Sequence, residues 1–286
     1  MIPARQRRSV IAAAIARTLL FSRVLDRLYR ATDKGRSELV AALASDAVLD
    51  RFNDIAYGSD RAYRPDTSSF RAYLFPWEEE AIRHFFPRPP AHVLVGGAGG
   101  GREALALAGL GYRVTAFEPS PELAEALAAR AHDEEGTAVY RARYEDLPRL
   151  EGTSGREGAD LETLAPVDAV IAGWGSFSHL RTPALRVAVL ESLARSTSGP
   201  ILVSFLGLFD DRREPTSLLG RLRRALPRRR GRGPGDVFSV YIGFFHRTNE
   251  REIESLANAA GLEIVHRSFD ERDTNWPHVV LRARES

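Results

Sequence analysis

Apolar residues along this chain alternate between two patterns. Short, nearly continuous runs at 93–95, 114–117, 167–172 and 201–206 read as strands buried on both faces. Between them the apolar positions recur every three or four residues, the period of a helix with one face in a core. Leu185, Val189, Leu190 and Leu193 carry that period over residues 182–195. Ser120 followed by Pro121 starts a helix running to about Ala131, Pro76 followed by three acids starts another, and Asn249 with Glu252 reads as a capping box. Residues 137–143 supply a third strand, and residues 262–265 and 279–282 supply two last ones. The N-terminal segment carries Ile11, Ile15, Leu19, Leu20, Val24, Leu25 and Leu28 mostly at helical spacing, with arginines left for the polar side. Five strands alternating with helices, closed by a final pair, imply an α/β fold around a mostly parallel sheet.

The stretch from His92 to Ser120 carries the most chemistry. It reads strand, glycine turn, Ala/Leu-rich helix, strand, acid. Gly97, Gly99 and Gly101 occupy alternate turn positions, where absence of a Cβ permits positive φ and close approach of a ligand to the main chain. The following helix start directs unpaired N–H groups toward the same place. Glu118 lies 21 residues after Gly97, where a βαβ unit holds the acid that binds the ribose hydroxyls of an adenosine-containing cofactor. A dinucleotide fingerprint would require a small residue at position 102, and this chain has arginine there.

The spacing G-x-G-x-G, with Glu118 after the second strand, resembles motif I of the class I S-adenosylmethionine-dependent methyltransferases. The resemblance covers residues 90–286. It implies a Rossmann-like seven-stranded sheet, mostly parallel with one antiparallel closing strand, helices on both faces, and S-adenosylmethionine as cofactor. It sets Gly97, Ala98, Gly99, Gly101, Glu118 and Pro119 against that cofactor. It implies an adenine contact just after the third strand, where the usual acid position holds Arg143; Tyr144, Glu145 and Asp146 are the alternatives, and a turn-capping acid is the plainer reading. It places Gly173 and Trp174, leaving the fourth strand, beside the transferred methyl group, with His179 and His246 as candidate bases. It also assigns Phe238, Tyr241, Phe244 and Phe245 to an acceptor pocket. Helices before motif I often cover the cofactor in this family, and Tyr73, in an aromatic-rich segment, is the contact expected from them.

Composition narrows the chemistry. The 286 residues include no cysteine, so disulfides, thiolate metal sites and cysteine nucleophiles are excluded, and no metal site is expected. A net charge of +2 gives no global case for nucleic acid. Seven arginines do crowd residues 221–232, inside an insertion at about 207–243, and read either as an anion-binding lid or as a solvated loop. Residues 1–89 form a helical extension and 90–286 the catalytic core. No apolar run reaches the length of a membrane span, and a soluble, cytoplasmic protein is expected. Methyl transfer to an O or N atom of a small molecule is the leading expectation. A protein or RNA methyltransferase using the arginine run, and a NAD-dependent oxidoreductase, are the rivals.

Overall fold

A computed structural model of the chain describes residues 36, 37, 39–59, 70–132, 136–149, 166–208, 233, 235–269 and 276–284. The N-terminal amphipathic pattern, most of the polar segment 151–166 and the arginine run lie outside the described residues. Helices α1 (Asp46–Ser59) and α2 (Pro76–Phe85) lead into β1 (His92–Gly96), α3 (Arg102–Gly109), β2 (Arg113–Phe117), α4 (Pro121–Ala131) and β3 (Thr137–Tyr140). Then come β4 (Ala169–Ala172), α5 (Pro183–Ser196), β5 (Ile201–Ser204), β6 (Asp236–Ser239), β7 (Gly243–His246), α6 (Glu250–Ala259), β8 (Leu262–Ser268) and β9 (His278–Ala283).

Seven strands form one sheet in the order β3-β2-β1-β4-β5-β9-β8. The first five are parallel, and β9 runs antiparallel to both β5 and β8. Alternate residues of the central strands serve opposite faces. Leu94, Val170 and Val203 meet α5 and α6 through Val189, Leu190, Ile253 and Leu256. Val93, Ile171 and Leu202 share the other face with Ile82 of α2, Leu105 and Leu107 of α3, and Leu127 of α4. Each such side chain, removed from water, contributes roughly 1.5–3 kcal/mol, so the sheet is a stiff platform for whatever sits at its edge. The chain leaves β1 toward β2 and returns from β3 to β4 on the other side. That reversal opens a crevice at the carboxyl ends of β1 and β4.

Three local expectations need correction. The third strand stops at Tyr140, because Arg143 to Asp146 close a turn into a short 3₁₀ segment, Tyr144–Arg149. The insertion after β5 ends in a separate two-stranded antiparallel hairpin, β6 with β7. At the start of α6, Asn249 Oδ1 accepts from the Glu252 N–H at 2.8 Å, but the Glu252 carboxylate turns away to His246. Only half of the capping box forms. No helix among the described residues is long and apolar enough to cross a membrane.

Candidate active site

The glycine turn is held by main-chain geometry. Gly97, Gly99 and Gly101 take φ of +61°, +55° and +89°. A Cβ on Gly97 would lie 2.6 Å from Ser176 Cβ, and one on Gly101 would lie 2.1 Å from Leu127 Cδ1. Ala98 N–H donates to the Phe117 carbonyl at 3.0 Å, which lays the turn across the end of β2. There Glu118, 6% exposed, accepts from Gly99 N–H at 2.8 Å and from Ser120 N–H at 2.9 Å. Burial pushes its carboxyl up to about 7, against the pull of those two N–H groups. Each oxygen still has capacity for another donor.

Arg102, the residue that spoils a dinucleotide fingerprint, clamps the site instead. Its guanidinium makes two 2.7 Å bonds to the Glu78 carboxylate, a third at 2.7 Å to Glu103, and one at 2.9 Å to the Tyr73 carbonyl. Glu78 also accepts from Phe75 N–H at 2.8 Å, at the start of α2. The guanidinium lies 4.0 Å from the Phe75 ring centre and 5.1 Å from those of Tyr73 and Trp174. One buried cation thus joins the glycine turn, the segment before α2 and the loop after β4. Glu103, beneath it, is pushed up to about 7 by burial although Arg102 opposes the shift.

A cavity of about 530 Å³ opens over the turn. Ten residues singled out in the sequence line it: Tyr73, Gly97, Ala98, Gly99, Glu118, Pro119, Tyr144, Glu145, Trp174 and His179. Trp174 reaches the wall through a left-handed backbone, φ +44°, at a cost of roughly 1–3 kcal/mol. Tyr144 is buried, packs edge-on against Phe117 and bonds Ser176 Oγ at 2.9 Å.

Four singled-out residues fall outside the lining. Gly101 faces Leu127 behind the turn, and Gly173 is backed by Glu103, whose Oε1 a Cβ would meet at 2.7 Å. Asp146 caps its own turn, accepting from Arg143 N–H at 2.9 Å. His246 lies between two carboxylates, with Asp236 Oδ1 at 2.7 Å from Nδ1 and Glu252 Oε1 at 2.8 Å from Nε2. These bonds outweigh its burial and hold its pKa above the usual value, so it is an imidazolium with no lone pair for a substrate. The hairpin aromatics do not line the cavity either. Phe238 and Phe244 pack on Leu49 of α1, Phe245 is buried, and Tyr241 points into solvent.

What replaces them comes from α1. Asp50, Asn53, Asp54 and Tyr57, spaced three and four apart, present one polar helix face to the cavity. That spacing is the signal the sequence carries for this face. Arg143 pairs with Asp54 at 3.3 Å and Asp50 at 3.6 Å. Arg181 meets Asp50 and lies 3.5 Å from Glu145. Asn53 Oδ1 accepts from Phe244 N–H at 2.8 Å. His179 Nδ1 is 2.6 Å from the Phe244 carbonyl, which can only accept, so the proton resides on Nδ1. Its Nε2 then accepts from the Tyr57 hydroxyl at 2.7 Å. Burial holds the His179 pKa below the usual value, which keeps the ring neutral.

No family model matches the sequence, and no curated protein matches it. Solved structures do. One is the Burkholderia thailandensis 1,6-didemethyltoxoflavin-N1-methyltransferase, with 1,6-didemethyltoxoflavin and S-adenosylhomocysteine bound, at TM-score 0.56 and 19% identity over 85% of this chain and 92% of that one. Another is the CcbJ methyltransferase of Streptomyces caelestis, at TM-score 0.53 and 19% identity over 80% and 98%. The fold is that of the class I methyltransferases. A putative Zn-dependent alcohol dehydrogenase from Rhodobacter sphaeroides also resembles the chain, at TM-score 0.50 and 13% identity over 82% and 98%. Likeness at such identity carries architecture; the chemistry lies in the site built on it.

Proposed function

We propose that this protein is an S-adenosylmethionine-dependent methyltransferase acting on an O or N atom of a small-molecule acceptor. One observation carries the reading: the Glu118 carboxylate, held by main-chain N–H groups inside a cavity at the crevice of the sheet, faces a glycine turn in which Gly97 and Gly101 have no room for a side chain. The residues present fit the cofactor. Glu118 has acceptor capacity for the two ribose hydroxyls, and Gly97 and Gly99 leave main chain exposed at the cavity floor. Tyr144 and Glu145 are the adenine-side candidates, and Tyr73 and Trp174 add aromatic lining. When bound, the cofactor supplies an electrophilic methyl group on a sulfonium. The chain's own work is then alignment, exclusion of water and, for some acceptors, removal of a proton. His179 is the base candidate the geometry favours, because its neutral ring lines the cavity with an unprotonated Nε2 that bonds the Tyr57 hydroxyl, whereas both His246 nitrogens are bound to carboxylates. Helices α1 and α2, from the segment before the sheet, form the cover.

A concave cavity walled partly by Phe70, Tyr73 and Trp174 favours a small acceptor over a macromolecular one. Calorimetry of the protein with S-adenosylmethionine, S-adenosylhomocysteine and NADH tests the reading. Micromolar binding of the first two is expected, weakened about ten- to hundred-fold in Glu118→Ala, the range for hydrogen bonds to a charged group. Binding of NADH alone would overturn it.

A further inference from the structure

The Tyr57–His179 pair has a chemical meaning that its neighbours do not need for packing. The turn carrying His179 is fixed without it: Gly175 N–H donates to Ser204 Oγ at 3.0 Å, and Leu206 N–H donates to Ser178 Oγ at 2.9 Å. Helix α1 is likewise tied to β7 through Asn53 and the Phe244 N–H. The Tyr57–His179 bond duplicates these ties, yet it spends the only lone pair of a half-buried imidazole on a phenol that itself lines the cavity. The two rings meet edge to face, 5.3 Å between centres.

We infer that Tyr57 is the catalytic residue that contacts the acceptor, that His179 is the base behind it, and that the acceptor attacks through a hydroxyl. This rests on the methyltransferase reading and names its substrate class. A neutral amine attacks with a lone pair already in hand, and its extra proton leaves for water afterwards. A hydroxyl is a poor nucleophile unless its proton is drawn off as the new bond forms. The acceptor O–H proton passes to the Tyr57 oxygen while the proton of Tyr57 passes to Nε2 of His179. The freed oxygen pair forms the O–C bond to the methyl group, the C–S pair stays on sulfur as a neutral thioether, and the positive charge ends on the imidazole. There Nδ1–H already donates to the Phe244 carbonyl, which favours the charged ring. Asp50 and Asp54 on α1, Glu145, and the cations Arg143 and Arg181 share this wall; the carboxylates also favour the imidazolium as it forms, and the arginines oppose it.

The test uses tritiated S-adenosylmethionine with naphthol, hydroxyquinoline and hydroxybenzoate, each beside its amino counterpart, on the full chain and on Tyr57→Phe and His179→Gln. Transfer to hydroxyl probes and not to amino probes is expected. Tyr57→Phe should lower kcat about a hundred-fold or more, within the range for general base catalysis, while KM and cofactor affinity by calorimetry hold. The acid limb of the kcat–pH profile should vanish in His179→Gln. Imidazole nitrogen NMR of the protein loaded with S-adenosylhomocysteine gives a readout independent of turnover. It should show the Nδ1–H tautomer, with the His179 pKa rising when the Tyr57 donor to its neutral form is removed. Equal or preferred transfer to the amino probes, no transfer to any hydroxyl probe although the cofactor binds, or an unchanged rate and acid limb in both variants would each overturn the inference. Failure of the cofactor to bind at all would instead bring down the methyltransferase reading beneath it.

Discussion

The floor and the roof of the cavity are built by different means. The floor is main chain: three glycines at positive φ, the Ala98 bond to Phe117, and a carboxylate gripped by two backbone N–H groups. The roof is side chains: α1 reaches over the opening and is held by Asn53, Tyr57 and pairs between its aspartates and Arg143 and Arg181. Main-chain geometry varies little with sequence, so a floor of this kind suits one invariant ligand. Side-chain contacts change with single substitutions, so the roof is where acceptor choice can be set. If the division is right, damage to the floor should cost the fold or the cofactor, and damage to the roof should leave both standing.

The largest effect is expected at Gly101. Valine there would face a left-handed backbone at φ +89° and a Cβ 2.1 Å from Leu127 Cδ1. Strain of roughly 1–3 kcal/mol adds to an overpacking cost of about the same size. Urea unfolding of Gly101→Val should show several kcal/mol lost or no cooperative transition. A wild-type curve would mean that the turn is not fixed by its main chain. Next comes a buried network of β6, β7 and α6, outside both floor and roof. His246→Gln leaves Asp236 and Glu252 facing Arg186 with their central cation gone, and breaking a buried network of this kind costs about 3–5 kcal/mol. The pH dependence has a definite sign. Because the folded pKa of His246 is raised, its stabilisation is complete below the unfolded value of 6.5 and is lost as pH rises through the folded one. Thermal melts should therefore separate wild type and variant more at about pH 6 than at about pH 9.

How much of this was legible follows the same division. Motif I, Glu118 and the alternation of strands and helices could be read from the sequence because main-chain requirements leave glycines, acids and apolar runs at fixed spacings. The histidines could not be told apart. Both lie close in sequence to aromatics, and only the fold shows that His246 is closed between Asp236 and Glu252 while His179 keeps a lone pair toward Tyr57. Arg102 looked like a mere exception to a glycine pattern, since its partner Glu78 is 24 residues away. The polar face of α1 was missed because a helix at the margin of a sheet carries no motif, only a period. The hairpin aromatics were misplaced for a related reason: an aromatic run states that something is packed, and not against what.

Glu118 should show a conflict between stability and binding. Burial raises its carboxyl from 4.5 to about 7. The unfolded chain therefore ionises first as pH climbs, and stability contributed below 4.5 is lost by the time pH passes about 7. That window corresponds to about 3 kcal/mol. Glu118→Gln should flatten the fall in melting temperature between about pH 5 and pH 8 while weakening S-adenosylmethionine about ten- to hundred-fold. Equal slopes in the two proteins would mean that the carboxylate is better solvated than its 6% exposure implies.

The smallest effect is the sharpest check on the comparison. Arg143 and Asp54, 3.3 Å apart, have side chains 35% and 25% exposed, so water and salt screen their attraction. Exposed pairs of this kind contribute about 0–1 kcal/mol. Asp54→Asn should accordingly leave the unfolding free energy within about 1 kcal/mol of wild type. It should also change cofactor affinity little at low and at high salt, because Asp54 bonds Arg143 and its charge reaches Glu118 only through space, behind burial and the two main-chain N–H groups and opposed by Arg143. Calorimetry at two ionic strengths decides the matter. A salt-dependent loss of S-adenosylmethionine binding in Asp54→Asn would mean that α1 helps to hold the cofactor. The roof would then belong to the same site as the floor, and acceptor choice could not be altered there without disturbing the cofactor.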